Sequence, residues 1–309
     1  MRWRQQEGPA RRGRRWSSRA KRFLTRLSLR DQRFRRIVLN YLFSNYIAEQ
    51  TLCLVNFDDH EIFVDPRDDK IAFTLLSGRA WQRGDLEAAM ALASTHGRLP
   101  RGKVFVDVGA NIGAMTLYAM LSGQFSHAVA IEPDRHNRSI LERNIATNGL
   151  SEKVTIAATA ASFASGEMPL YRDDKNRGAH SLEEGFVMTP STAEVVSVDK
   201  LDQILKNNGI APGDVGFLKI DVEGHEKSVL HGANGVLGYS PPIMLEATFD
   251  VSTKAAGLID YHAITSHLQA SGYQTCAQID DRQPGTNLPV AYGLEEFAPS
   301  SIQHELLFF

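Results

Sequence analysis

From Lys103 onward, short apolar runs alternate with longer amphipathic ones. Val104–Val108, Ala128–Ile131, Val154–Ala158, Val195–Val198, Phe217–Val222 and Ile243–Glu246 are brief and aliphatic, as strands covered on both faces are. Between or after them, Ile112–Ser122, Asp134–Asn148, Leu201–Asn207, Glu226–Leu237 and Tyr261–Ala270 carry apolar residues at helical spacing. Strands separated by helices need crossovers, and right-handed crossovers give a mostly parallel sheet with helices on both faces. Tyr273–Ala277 and Glu305–Phe309 are strands with no helix between them, which predicts an antiparallel pair at the end of the chain. The reading is an α/β domain over residues 103–309.

Upstream, Thr51–Phe57 and Glu61–Val64 predict a hairpin around Asp58, Asp59 and His60. Lys70–Leu76 and Leu86–His96 predict two helices, and Pro100–Gly102 a hinge, so residues 51–102 form an extension ahead of the main domain. Arg83–Asp85, reading RGD, is taken as a helix start. Charge changes the picture of residues 1–50. Met1–Arg36 holds fourteen of the 34 Lys and Arg but two of the 36 Asp and Glu, a basic arm on an acidic body. Trp16, Phe23, Leu27, Phe34, Ile37, Val38, Tyr41 and Leu42 recur at near-helical spacing within it. It reads as a disordered solvated leader or as an amphipathic helix for peripheral contact with anionic membrane; RNA contact is not expected, for want of an aromatic and basic RNA motif. Ile37–Val55 is interrupted by Asn40, Ser44, Asn45, Glu49 and Gln50, too polar to span a bilayer and too late for a signal peptide. Cys53 and Cys276 match no metal or redox spacing and are expected as buried apolar residues. A soluble cytoplasmic protein is the expectation.

The candidate chemistry begins at VDVGANIG, Val106–Gly113. A strand ends at Asp107, and Gly109, Asn111 and Gly113 then make a tight turn into a helix; glycine there permits positive φ and close approach to a ligand. A glycine loop alone is weak evidence. The next strand strengthens it by ending at Glu132, about twenty residues on, where a carboxylate can accept both ribose hydroxyls. Together they would hold an adenosine cofactor at the carboxyl ends of adjacent strands. A nicotinamide oxidoreductase uses the same parts, but its fingerprint has a second glycine where Asn111 stands, to admit a pyrophosphate. S-adenosyl-L-methionine has no phosphate, and Asn111 can serve its amino-acid end.

VDVGANIGAMT, IEPDRHN and LKIDVEGHE, in that order, resemble the FkbM family of S-adenosylmethionine-dependent methyltransferases over roughly Ile62–Leu245. The resemblance implies the class I methyltransferase fold, a Rossmann-like, seven-stranded, mostly parallel sheet with an antiparallel last strand. It further implies methyl transfer to a hydroxyl of a small molecule, sugar or glycolipid. Asp107, Gly109, Asn111 and Gly113 would then surround the methionine part and Glu132 the ribose. One departure stands out: many cofactor pockets of this fold place an acid or amide after the third strand for adenine, whereas Ala157–Ala161 offers none, leaving backbone groups or Ser162.

The acceptor side is read from Phe217–Glu226, FLKIDVEGHE. Strand alternation puts Lys219, Asp221 and Glu223 on one face, near the expected methyl. Transfer requires a base within hydrogen-bond reach of the acceptor hydroxyl and good positioning. Asp221 or His225 is the expected base, Lys219 the group that orients or stabilises the alkoxide, and Glu223 the group that fixes the lysine or the acceptor; Glu246 is a second candidate base. As bland alternatives, Lys219 and Glu223 make a structural ion pair and His225 and Glu226 are first-turn residues of the next helix. Asp221, Glu223 and Glu246 are oxygen ligands suited to a divalent cation, but their spacing is not diagnostic and no metal is expected. His180, in Gly178–Leu182, lies where this fold forms substrate-covering loops and is a candidate base from there. A non-catalytic cofactor-binding module is the remaining alternative, against which Lys219, Asp221 and Glu223 argue.

Overall fold

A computed structural model describes residues 51–173, 176–187, 190–248, 261–282, 288–296 and 303–309. The basic arm lies outside these residues. The described elements begin with β1 (Cys53–Asn56), β2 (Glu61–Val64), α1 (Ile71–Leu76) and α2 (Arg83–Thr95). The alternating region follows as β3 (Val104–Val108), α3 (Ala114–Leu121), β4 (His127–Ile131), α4 (Arg135–Thr147) and β5 (Val154–Ala157). Next come β6 (Ala160–Ser162), β7 (Gly166–Asp173), β8 (Pro190–Lys200), α5 (Leu201–Asn207), β9 (Val215–Ile220), α6 (Glu226–His231) and α7 (Asn234–Leu237). The chain closes with β10 (Ile243–Thr248), α8 (Tyr261–Ala270), β11 (Thr275–Arg282), β12 (Pro289–Gly293) and β13 (Gln303–Phe308).

The main sheet runs β12-β11-β13-β10-β9-β3-β4-β5. Strands β5, β4, β3, β9 and β10 are mutually parallel, while β13 is antiparallel to both its neighbours, β10 and β11. The expected antiparallel last strand is therefore present, but the sheet is mixed and has eight described strands rather than seven. The addition is β12, antiparallel to β11 at the sheet edge. Its proline falls at the first residue, a position an edge strand tolerates because no ladder hydrogen bond is lost there.

Two further departures have physical causes. Val195–Val198 does not join the main sheet: β8 pairs with β6 and β7 in a separate three-stranded sheet of order β6-β8-β7. Only one small apolar cluster, Ala160, Leu170, Leu182 and Val198, covers it, and Val195 is exposed, so its strands do not run continuously apolar. The helix expected over Glu226–Leu237 divides into α6 and α7 at Gly232. A Cβ on Gly232 would lie 2.0 Å from the Ser162 carbonyl oxygen, so the residue is glycine because β6 presses on the helix there.

The sheet is covered on both faces. Phe105, Phe217, Met244 and Leu307 pack on one side against α2, α3 and α4, and Val104, Val106, Leu218 and Leu245 on the other against α5 to α8. Ile62, Val64, Ile71, Leu75 and Leu86 belong to the first of these cores, so the segment before Lys103 shares its apolar interior with the sheet. Asn144, buried on α4, fastens the hairpin to it: its Oδ1 accepts from Phe63 N–H at 2.6 Å and its Nδ2 donates to the Ile112 carbonyl at 2.8 Å.

Gly113 ends the cofactor loop at φ +82°, and a Cβ there would stand 2.2 Å from Leu141 Cδ1 on α4. Gly113→Ala is expected to lower stability by about 1–3 kcal/mol through backbone strain and overpacking. In urea unfolding, Gly113→Ala and Leu141→Ala should be less than additive when combined, because the second removes the clashing methyl; strict additivity would contradict this packing.

Candidate active site

The loop after β3 is fixed mainly by its backbone N–H groups, most of which bond to the end of β4. Gly109 and Ala110 N–H both donate to the Ile131 carbonyl at 3.0 Å, and Gly113 N–H donates to Ala110 at 2.8 Å. Asn111 sits in the left-handed region at φ 51°, a conformation asparagine tolerates better than most residues. Its N–H donates to Glu132 Oε2 at 2.8 Å, and its side-chain Nδ2 donates to the Arg177 carbonyl at 3.3 Å. Asn111 thus acts as a turn former and a strut. Gly109 is required for a reason other than ligand approach: a Cβ there would lie 1.9 Å from the Asp221 carbonyl oxygen.

Glu132 is buried, and its second oxygen accepts from Asp134 N–H at 2.8 Å. Burial pushes its carboxyl up to about 8, against the pull of these amide donors. A carboxyl held protonated there presents an O–H donor as well as acceptor capacity.

Asp107 and Lys219 are side-by-side partners on the parallel strands β3 and β9. Asp107 is fully buried and is not among the residues that line the cavity described below. Its Oδ2 accepts from Thr116 Oγ1 at 2.6 Å, and its Oδ1 faces Lys219 Nζ at 3.7 Å. Lys219 Nζ in turn donates to Asp221 Oδ2 at 2.9 Å. Burial works against the ammonium, but the charges of Asp221 and Asp107 overcome it and raise its pKa. The ion pair of Lys219 is therefore with Asp221 and Asp107, not with Glu223.

Strand alternation does not carry as far as Glu223. β9 ends at Ile220, and Glu223 at φ 51° and Gly224 at φ 104° turn the chain. Glu226, buried on α6, holds this turn: its Oε1 accepts from Val222 N–H at 3.2 Å and Gly224 N–H at 3.1 Å. Glu226 is the first residue of α6, as its expected first-turn place requires, and its side chain turns back onto the loop. Glu223 still reaches the cavity, where burial and the charges of Asp221 and Glu246 hold its carboxyl well above the usual range.

His225 is buried with both ring nitrogens engaged: Nδ1 with Glu183 Oε1 at 2.7 Å and Nε2 with Ser162 Oγ at 2.9 Å. Its ring is thereby fixed between Glu183 and Ser162. Glu246 and Glu305, opposed on β10 and β13, are bridged by Gln82 Nε2. Among the described residues no group of three or more His, Cys, Asp or Glu is placed to hold a metal ion.

Gly109, Asn111, Glu132, Lys219, Asp221 and Glu223 line one cavity of ≈ 510 Å³ at the carboxyl ends of the parallel strands, within the range of small-molecule sites. A model of the FkbM methyltransferase domain matches residues 107–275, from Asp107 through the start of β11. The chain belongs to the FkbM methyltransferase family. FkbM relatives include Methyltransferase 1 of Beauveria bassiana (strain ARSEF 2860), 31% identical over 150 residues that cover 43% of this chain and 59% of that protein. The 31-O-demethyl-FK506 methyltransferase FkbM of Streptomyces tacrolimicus is 31% identical over 163 residues, covering 44% of this chain and 62% of its own. The matched part thus spans about three-fifths of these FkbM relatives. Among solved structures, methyltransferase FkbM from Methylobacillus flagellatus KT aligns at 16% identity with a TM-score of 0.42, covering 89% of this chain and 59% of the other. No described helix is long and apolar enough to cross a membrane.

The raised Glu132 carboxyl of this FkbM domain has a stability consequence. Between its ordinary 4.5 and about 8 the folded state binds a proton that the unfolded state has lost, so stability falls as pH rises through this window. Urea midpoints from pH 5 to 9 should fall less steeply in Glu132→Gln than in the wild type, by up to about 1.4 kcal/mol per pH unit. Parallel profiles would show that the carboxyl is ionised in the fold.

Proposed function

We propose that this chain is an S-adenosylmethionine-dependent O-methyltransferase that moves a methyl group to a hydroxyl oxygen of a small molecule, sugar or glycolipid. The observation that carries the reading is that the Asp221 carboxylate opens into the same cavity as the glycine loop and Glu132. The name of the Streptomyces tacrolimicus relative, which specifies a 31-O-demethyl substrate, supports oxygen as the acceptor atom.

The loop favours a cofactor without phosphate. The N–H groups of Gly109, Ala110, Asn111 and Gly113 are all consumed inside the protein, so they form no cradle for a pyrophosphate. The Asp221 carboxylate in the wall suits a cationic sulfonium and disfavours anionic acceptors such as nucleic acid.

When bound, S-adenosylmethionine supplies an electrophilic methyl on a positively charged sulfur. Asp221, a fifth exposed in its side chain, takes the proton of the acceptor hydroxyl. Lys219 orients that carboxylate and is itself held by Asp107, so the base enters the reaction already positioned. Glu223, kept protonated by its surroundings, donates a hydrogen bond to an acceptor oxygen. His225 positions the wall through Glu183 and Ser162.

Calorimetric titration should show binding of S-adenosylhomocysteine and none of NAD; the reverse would end the methyltransferase reading. With labelled S-adenosylmethionine and a panel of sugars, glycolipids and polyketides, Asp221→Asn should lower turnover of whichever acceptor is methylated by about 10²–10⁴-fold. Its affinity for S-adenosylhomocysteine should stay within about threefold, a shift smaller than one hydrogen bond to a charged group would give. Wild-type turnover in this variant would remove Asp221 as the base.

A further inference from the structure

The strand order arranges the cavity in sequence: Glu246 on β10, Asp221 beyond β9, the glycine loop beyond β3, Glu132 beyond β4, then Ala160 and Ala161 beyond β5. With the ribose at Glu132, the base of the nucleoside falls in the last portion. Its walls there are Pro133, Ala160, Ala161, Leu170 and Leu182, an apolar lining suited to a flat ring. The polar side chains after β5 are turned elsewhere: Thr159 Oγ1 donates to the Ser197 carbonyl at 2.9 Å, and Ser162 pairs with His225.

His180 also lines the cavity, between Gly178 and Leu182. It is held firmly. Ser181 and Tyr171 exchange backbone hydrogen bonds at 2.8 and 3.1 Å, tying the segment to β7, and His180 Nδ1 accepts from Asp173 N–H at 3.1 Å. An imidazole that accepts at Nδ1 carries its proton on Nε2. Among the described residues Nε2–H has no protein acceptor. Burial also lowers the ring's pKa to about 4 despite the nearby Asp134 carboxylate, so the ring is neutral at physiological pH.

We propose that His180 reads the adenine ring, donating Nε2–H to one of its ring nitrogens. Resting on the S-adenosylmethionine assignment above, this replaces the acid or amide that Ala157–Ala161 does not supply. It also recasts His180 as a binding residue, since a ring whose Nδ1 is occupied and whose Nε2 is protonated has no free lone pair with which to act as a base. Adenine ring nitrogens are acceptors, so a neutral donor matches them, whereas a carboxylate there would match the exocyclic amino group.

Calorimetry on the full chain with S-adenosylhomocysteine and its 1-deaza, 3-deaza and 7-deaza analogues tests this without turnover. The wild type should bind one analogue about 3- to 10-fold more weakly than the parent, the size of one neutral hydrogen bond. His180→Ala should bind the parent more weakly by a similar factor and lose that analogue's penalty. Equal weakening of all four ligands, a penalty that survives in His180→Ala, or no deaza penalty in the wild type would overturn the proposal while leaving the cofactor in place. A wild type that fails to bind S-adenosylhomocysteine would overturn the cofactor assignment itself.

Discussion

The site depends on a buried ammonium between two carboxylates. Lys219 is 4% exposed, and the ends of β3 and β9 are joined through it: Asp107 on one strand, Asp221 just beyond the other. Removing one member of such a group leaves an uncompensated charge in the interior, at a cost of about 3–5 kcal/mol. The triad therefore does two things at once. It closes the sheet where the cofactor loop leaves it, and it leaves one carboxylate, that of Asp221, facing the cavity.

The backbone around the triad is shaped to match. Gly109 gives way to the Asp221 carbonyl, so the loop after β3 and the turn after β9 meet with no side chain between them. On either side a buried glutamate receives two backbone amides, Glu132 beneath the glycine loop and Glu226 beneath the turn at Val222–Gly224. Both loops are held by these carboxyls, and the cavity between them is thereby preorganised.

Much of this was legible in the sequence, because aliphatic runs report a doubly covered sheet and left-handed turns leave Gly and Asn behind. β3, β4, β5, β9 and β10 fall within a few residues of their expected positions, and five predicted site residues besides Glu132 and Gly109 meet in the structure: Asn111, Lys219, Asp221, Glu223 and His225 all line the cavity. Illegible parts depended on long-range contact. No local pattern says that Gly109 faces a carbonyl, that both nitrogens of His225 are taken, or that Asp107 turns to Thr116 and Lys219. β7 was hidden, and β8 was foreseen only over Val195–Val198 and in the wrong sheet, because a small side sheet with one covered face has neither a continuous apolar run nor a clean alternation. Glu226 and His180 were visible as residues, but the turns at Val222–Gly224 and between Asp173 and His180 that hand them their backbone partners were not.

The central claim is that the loop after β3, the acidic end of β4 and the turn after β9 are walls of a single cofactor cavity. Hydrogen exchange with and without S-adenosylhomocysteine tests it most directly. Residues 109–113, 132–134 and 221–226 should slow together as the ligand saturates. Protection confined to one segment, or appearing only outside all three, would contradict the shared site.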